Sequence, residues 1–419
     1  MIKQWIIGKG APSDKKLFLW NMIGSSIYAL ASLILTYMTI RVIGDKEGGV
    51  FAIALTLAQM FIYVAYYEMR NYQVTDAKNK YEFKNYHAVK IVNCFAMMAI
   101  VLIYCLIKKY DIYKYVIVVL VCLYRMLDGY ADVYEAEFHA KNRLDLAGKS
   151  MAFRTLISVG LYFVVLIVSH NLLFAILAAI ISGLFGIWMF NIWIFGCVGK
   201  ICVSFEKDKF WGILKDCFPL FLGMFLWTYL LSASRIAVDD VMSSEYQSYY
   251  QVLFLPVSVI NLLAGFLIRP SLIELTEFHD NGKKKLFWKK IIRMLVLLIG
   301  FTLICMLGAY LLGIPVLNIL VGCDLSSYRG LFVFLILAGG FNAVAYLLYY
   351  VLTIFRNGKS ILAGYIVASV VAYFISPLMV RKMELWGAGL SYLISILVLL
   401  LLFIVFILKE ELFVTREKA

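Results

Sequence analysis

Apolar residues run along this chain in blocks of about twenty, separated by short polar segments. A helix needs roughly 20 apolar residues to cross the hydrocarbon core of a bilayer. Twelve blocks reach that length: 17–40, 49–70, 86–107, 113–134, 151–169, 171–196, 212–233, 249–270, 288–312, 331–354, 360–380 and 386–408. The pattern predicts an all-α, polytopic membrane protein. The first block follows a short basic stretch without a small-residue cleavage motif, so it reads as an uncleaved span and not a signal peptide. The longest polar connections are 71–85, 135–150 and 271–287. They leave no room for an inserted hydrophilic domain.

Composition agrees with that pattern. Of 419 residues, 63% are hydrophobic and 16% charged, where a soluble domain carries about 25% charged residues. Disorder, a secreted disulfide domain and an ordinary soluble enzyme are excluded. The chain holds 39 Lys+Arg against 26 Asp+Glu, a net charge of +13. With twelve spans, 29 of the 39 basic residues fall on the side of the termini and 9 on the other, Arg125 lying within a span. Cytoplasmic loops are the ones enriched in Lys and Arg, so both termini are expected in the cytoplasm. Lys108, Lys109 and Lys114 go against that bias. The surplus therefore reports topology, not a nucleic-acid partner. The cluster Lys283-Lys284-Lys285 with Lys289-Lys290 reads as a topology signal and an anionic-lipid contact. The eight cysteines form no CxxC pair and read as small buried hydrophobes. The four histidines form no metal-ligand pattern, and no metal or other cofactor is expected.

Arg41 closes the first span with Asp45 four residues on, and Arg235 closes the seventh with Asp239 four residues on. This echo suggests two parallel six-span repeats, with an N-terminal lobe over 1–205 and a C-terminal lobe over 206–419. Coincidence is the alternative. The same region carries a resemblance. Trp20-Asn21, Arg41-Val42-Ile43-Gly44 and Gly48-Gly49-Val50-Phe51 look like the opening of the polysaccharide exporters, the O-antigen (Wzx-type) flippases. The run Glu135 to Arg154, with Ala140, Asn142-Arg143-Leu144 and Ala147, resembles their central cytoplasmic loop. Tyr246 to Pro270, ending Arg269-Pro270-Ser271, resembles their eighth span. The family often has a glycine near the end of span 2, where this chain has Tyr67-Glu68.

The resemblance implies two six-helix lobes around a central cavity, a fold shared with multidrug antiporters and the lipid II flippase. It implies a flippase in the bacterial inner membrane that moves a polyprenyl-diphosphate-linked oligosaccharide by alternating access, without hydrolysing it. Membrane lipids and the lipid-linked glycan are the partners, with H+ or Na+ as the candidate coupling ion. No ATP site is needed, and Gly358-Lys359-Ser360 lacks the glycine spacing of a P-loop. Two other readings stay open: a multidrug cation antiporter, and a membrane glycosyl-transferring enzyme using the outside pair Asp239-Asp240.

The chemistry-bearing residues gather in span 4. Arg125, Asp128, Asp132 and Glu135 recur at helical spacing and share one face. Arg125 lies roughly 18 Å into the bilayer at 1.5 Å per residue. A charge at that depth costs roughly 2.5–3.5 kcal/mol to insert, so it faces a bundle interior or water. Two roles compete for this face: a substrate and coupling-ion site (Arg125, Asp128, Asp132), or an ion pair that locks the lobe. Arg41, Arg70, Arg235 and Arg269 sit at span ends. An arginine matches a diphosphate bidentately, and it also snorkels to lipid phosphates. Glu68 is a candidate coupling carboxylate, or else a partner of Arg70. Asn21, Gln59, Asn191, Asn261 and Asn342 suit sugar hydroxyls or, more commonly, interhelical hydrogen bonds.

Overall fold

The computed structural model describes residues 7, 12–76, 80–196, 198–268 and 271–416, with side chains at all of these except 262, 266 and 412–416. Arg269 and Cys197 lie outside the described residues. The chain divides into two compact units, 1–225 and 226–419.

Unit 1 opens with α1 (Asp14–Ile43), which stops at Gly44, where φ is +86°. That left-handed turn suits glycine and leads directly into α2 (Asp45–Tyr66), with Asp45 and Glu47 in its first turn. α2 is buried along most of its length. It ends at Tyr67 and Glu68, which both adopt left-handed backbone angles (φ 48° and 50°). The short helix α3 (Met69–Thr75) leaves from this corner. A capping box of Glu82 and Asn85 starts α4 (Phe83–Ile107). Asp111 caps α5 (Ile112–Ala140) by accepting from the Lys114 amide. α6 (Leu144–Ser169) and α7 (Leu172–Phe195) complete the unit, α7 containing a π-helical turn at Ile187–Ile192.

α1 packs along α6, α2 along α5, and α6 along α7. Small residues set these approaches, as in membrane bundles generally. A Cβ on Gly148 would overlap the Trp20 backbone, and one on Gly129 would come within 2.7 Å of the Ala65 side chain.

α8 (Lys207–Val241) crosses the boundary at 225/226. Unit 2 continues with α9 (Ser244–Ile268), α10 (Leu272–Asp280), α11 (Lys284–Val321), α12 (Arg329–Ile354) and α13 (Gly358–Arg416). α12 packs along α13, and α9 and α11 pack against α12. Asn342 of α12 donates to Asn261 of α9 at 2.9 Å, an interhelical hydrogen bond.

Ten helices among the described residues are long and apolar enough to cross a membrane. α5 is outside that set because its own charges interrupt it, and α13 is one member of it although Glu384 (φ 50°, ψ −132°) breaks its helix in two. α5 and the second half of α13 bring the total to the twelve expected spans. All these spans are helical and the described residues contain no strand, so the chain is an all-α polytopic membrane protein.

Two expectations need correction. Arg41 lies in the last turn of α1, ahead of the Gly44 break, whereas Arg235 lies within α8, which stays helical to Val241. The equal spacing thus hides different local structures, because no glycine follows Arg235. For the same reason Asp239 and Asp240 sit in the last turn of a helix. The cysteines also differ among themselves: Cys94, Cys105, Cys122 and Cys217 are buried, but Cys202 is exposed on a connection between helices.

Candidate functional site

The site is built on α5. Helical spacing brings Arg125, Asp128, Asp132 and Glu135 to one face, and all four are buried. α6 supplies Arg154, α3 supplies Arg70 and α4 supplies Lys90. Gly186 of α7 gives Arg154 its space: a Cβ there would come within 2.8 Å of Arg154 Cγ.

These side chains form one alternating ion chain. Arg125 Nη1 stands 3.1 Å from Asp128 Oδ2, and Arg154 Nη2 stands 3.1 Å from Asp128 Oδ1. Arg154 Nη2 also stands 3.3 Å from Glu135 Oε1. Arg70 Nη1 lies 3.4 Å from Glu135 Oε2 and 3.2 Å from Asp132 Oδ1. Lys90 Nζ lies 3.1 Å from Asp132 Oδ2 and donates to the Tyr66 carbonyl at 3.3 Å. Each carboxylate bridges two cations. Four cations against three carboxylates leave a surplus of one positive charge.

Both ends of the chain are cationic, in different settings. At one end the Arg125 side chain is 4% exposed, donates to Ser32 Oγ and stacks on the Tyr28 ring at 5.1 Å. At the other end Lys90 is buried, and it is Arg70, between Glu135 and Asp132, that is 27% exposed and is the accessible cation. It lines a cleft of about 240 Å³ with Tyr63, Tyr66, Glu68, Asn71 and Asp132. Tyr63 and Tyr66 meet edge to face at 5.9 Å. The cleft therefore offers one guanidinium, aromatic walls and several hydrogen-bonding groups.

Sequence reasoning placed Arg125, Asp128, Asp132 and Arg70 among the site residues, and the structure brings them together. It missed Arg154 and Lys90. Glu68 does not pair with Arg70: its carboxylate accepts from Asn71 Nδ2 at 3.0 Å, while Arg70 turns to Asp132 and Glu135. After the left-handed corner at Tyr67-Glu68 the two side chains line one cleft with different partners. Arg41 is exposed at the end of α1, and Arg235 is buried in unit 2. Asn191 lies beside the chain, its Oδ1 3.5 Å from Arg154 Nη1. The basic cluster is partly paired, Lys284 with Glu411 at 2.9 Å and Lys290 with Glu274 at 2.7 Å. No His/Cys/Asp/Glu group suited to a metal ion occurs among the described residues.

No protein-family model matches the chain. It is 21% identical over 388 residues to the capsular polysaccharide biosynthesis protein CapF of Staphylococcus aureus, an alignment covering 91% of this chain and 96% of that one. Among solved structures it is similar to the lipid II flippase MurJ in an inward closed conformation, with a TM-score of 0.68 and 16% identity over 92% of this chain and 88% of that one. It is also similar to an inward-facing multidrug resistance MATE family transporter of the MOP superfamily. There the TM-score is 0.59 and the identity 12%, over 100% of this chain and 98% of the other. The chain therefore has the membrane-transporter fold that MurJ and the MATE transporters share.

Proposed function

We propose that the protein is a flippase that carries a polyprenyl-diphosphate-linked oligosaccharide across the bacterial cytoplasmic membrane for a cell-surface polysaccharide such as capsule, and that it is not an enzyme. The observation that carries this reading is the buried ion chain with one surplus positive charge, whose member Arg70 opens into an accessible cleft. A diphosphate is the complementary headgroup, since a guanidinium matches phosphate oxygens bidentately. Tyr63, Tyr66 and Asn71 beside Arg70 suit the sugar that follows. The likeness to a capsule-biosynthesis protein and to a lipid II flippase supports the same substrate class. A cationic surplus is a poor match for a multidrug cation antiporter.

Arg70 makes the headgroup contact in this reading. Arg125 acts as the strut that ends the chain. Alternating access carries the headgroup across, and both termini are cytoplasmic. Glu68 is better suited to coupling H+ than Asp128 or Asp132, because each of those carboxylates is held between two cations. Arg41 and Arg269 are left as contacts for later steps, whereas Arg235 is enclosed within unit 2.

The deciding experiment is depletion of the protein in cells that make the polysaccharide. Glycan-loaded carrier is expected to accumulate on the cytoplasmic face, where an added membrane-impermeant glycosidase cannot reach it in intact spheroplasts. Accumulation of carrier-linked units already open to that glycosidase would place the block at polymerisation or ligation and overturn the reading.

A further inference from the structure

Unit 2 buries an arginine on different terms from those of unit 1. Arg235 of α8 is 5% exposed. Its Nη1 donates to Gln251 Oε1 at 3.3 Å, and its Nη2 donates to the Leu231 carbonyl at 3.1 Å and to Ser232 Oγ at 3.3 Å. The guanidinium lies 4.8 Å from the centre of the Phe254 ring. Every one of these partners is neutral, and no carboxylate among the described residues pairs with it.

Buried polar atoms without partners collect around it. Arg235 Nε, the Tyr392 hydroxyl and both Nε2 and Oε1 of Gln247 are buried with no hydrogen-bond partner, three of the four able to donate. Gln247 precedes Gln251 by one turn of α9 and so shares its face. Tyr392 of α13 meets Phe254 edge to face at 5.0 Å, and Phe254 carries the guanidinium. The three donors come from three helices, α8, α9 and α13, of one unit. An uncompensated buried charge is strongly destabilising. Buried water would satisfy the donors but would leave the charge. A compact anion satisfies both.

We propose that Arg235, Gln247 and Tyr392 form a buried site for one small monovalent anion of chloride size, held within unit 2. The site shares no residue with the ion chain of unit 1, so it stands or falls separately from the transport reading.

The test uses the purified full-length protein in detergent. Its unfolding midpoint is followed against chloride, bromide, gluconate and inorganic phosphate at constant sodium and ionic strength. A saturable rise is expected with chloride and bromide and none with gluconate. The rise is expected to vanish in Arg235→Met and to need several-fold more chloride in Gln247→Leu. Equal midpoints in chloride and gluconate would mean that water fills the donors, and would overturn the proposal. So would a chloride response that survives in Arg235→Met, which puts the anion elsewhere. A rise with phosphate alone overturns the chloride-sized site and assigns Arg235 to a phosphoryl group. Should Arg235→Met fail to fold, binding of radiolabelled chloride to Gln247→Leu decides. Unchanged affinity there rejects the site.

Discussion

Neutralising a carboxylate of the ion chain is expected to destabilise unit 1 more than removing its terminal cation. Glu135 stands between Arg154 and Arg70, so Glu135→Gln leaves each arginine with one carboxylate and raises the buried surplus from one positive charge to two. Arg125→Met does the reverse: Asp128 keeps Arg154, and the surplus falls to zero. Leaving a buried charge uncompensated costs about 3–5 kcal/mol, which sets the loss expected for Glu135→Gln. Arg125→Met forfeits charged hydrogen bonds to Asp128 and Ser32 while methionine fills most of the volume, a loss of about 2 kcal/mol. The assay is reversible unfolding of the purified protein in mixed micelles as the mole fraction of a denaturing detergent rises, with all variants in the same lipid. The paired change Arg125→Leu with Asp128→Leu deletes the end of the chain and keeps the surplus at one, so it should retain both abundance and export. If Arg125→Met were less stable than Glu135→Gln, the charge count would not govern stability. If the double variant folded but failed to export, Arg125 would be touching substrate and would not be a strut.

Three further outcomes follow from the geometry. Arg70→Ala should abolish glycan export with the protein at normal abundance, and Arg70→Lys should keep part of it because the charge survives and the fork does not; full export in Arg70→Ala would remove this residue from the headgroup contact. Gly148→Val should cost at least about 1–3 kcal/mol through overpacking, since any Cβ there overlaps the Trp20 backbone; normal membrane levels of this variant would show that α1 and α6 can separate. A cysteine introduced at Lys283 should react with an impermeant maleimide only after the cells are opened, and one at Asp240 should react from outside; the opposite labelling pattern would invert the topology.

The fold was legible because the bilayer imposes length and polarity on each span, and the apolar blocks carry both. The α5 face was legible for a related reason: charges at helical spacing inside a span have few explanations. The partners of that face were harder to see. Arg154 lies ten residues beyond Leu144 and Lys90 seven beyond Phe83, the first residues of their helices. Counting them as loop charges for topology hid their depth, which is roughly 15 Å for Arg154 at 1.5 Å per residue. The depth argument that singled out Arg125 would have found Arg154 too. The supposed Glu68–Arg70 pair failed because two consecutive non-glycine residues with positive φ cannot be read from identity; left-handed backbone costs an L-residue roughly 1–2 kcal/mol. Arg41 and Arg235 matched in spacing only, since spacing does not say whether the helix ends after the arginine.

The surplus charge makes a last prediction about coupling. One uncompensated cation in a low-dielectric interior attracts any anion that reaches it. Two anions can do so through the cleft: the carboxylate of Glu68, which lines it with Arg70, and the diphosphate of an entering headgroup. They compete for the same charge, so binding of one weakens the hold on the other, and the coupling is reciprocal. Protonated Glu68 is neutral and leaves the surplus to the diphosphate. Headgroup affinity should therefore rise as pH falls through the titration of Glu68, and headgroup binding should be accompanied by proton uptake. Glu68→Gln fixes the neutral form, so it should bind at high affinity at every pH and lose its response to an imposed pH gradient. The measurement is equilibrium binding of a short-chain polyprenyl diphosphate to the purified protein between about pH 4 and about pH 8.5, a range that includes the ordinary glutamate titration at about 4.3. A pH dependence that is unchanged in Glu68→Gln would assign the competing anion to another group and remove Glu68 from the coupling mechanism.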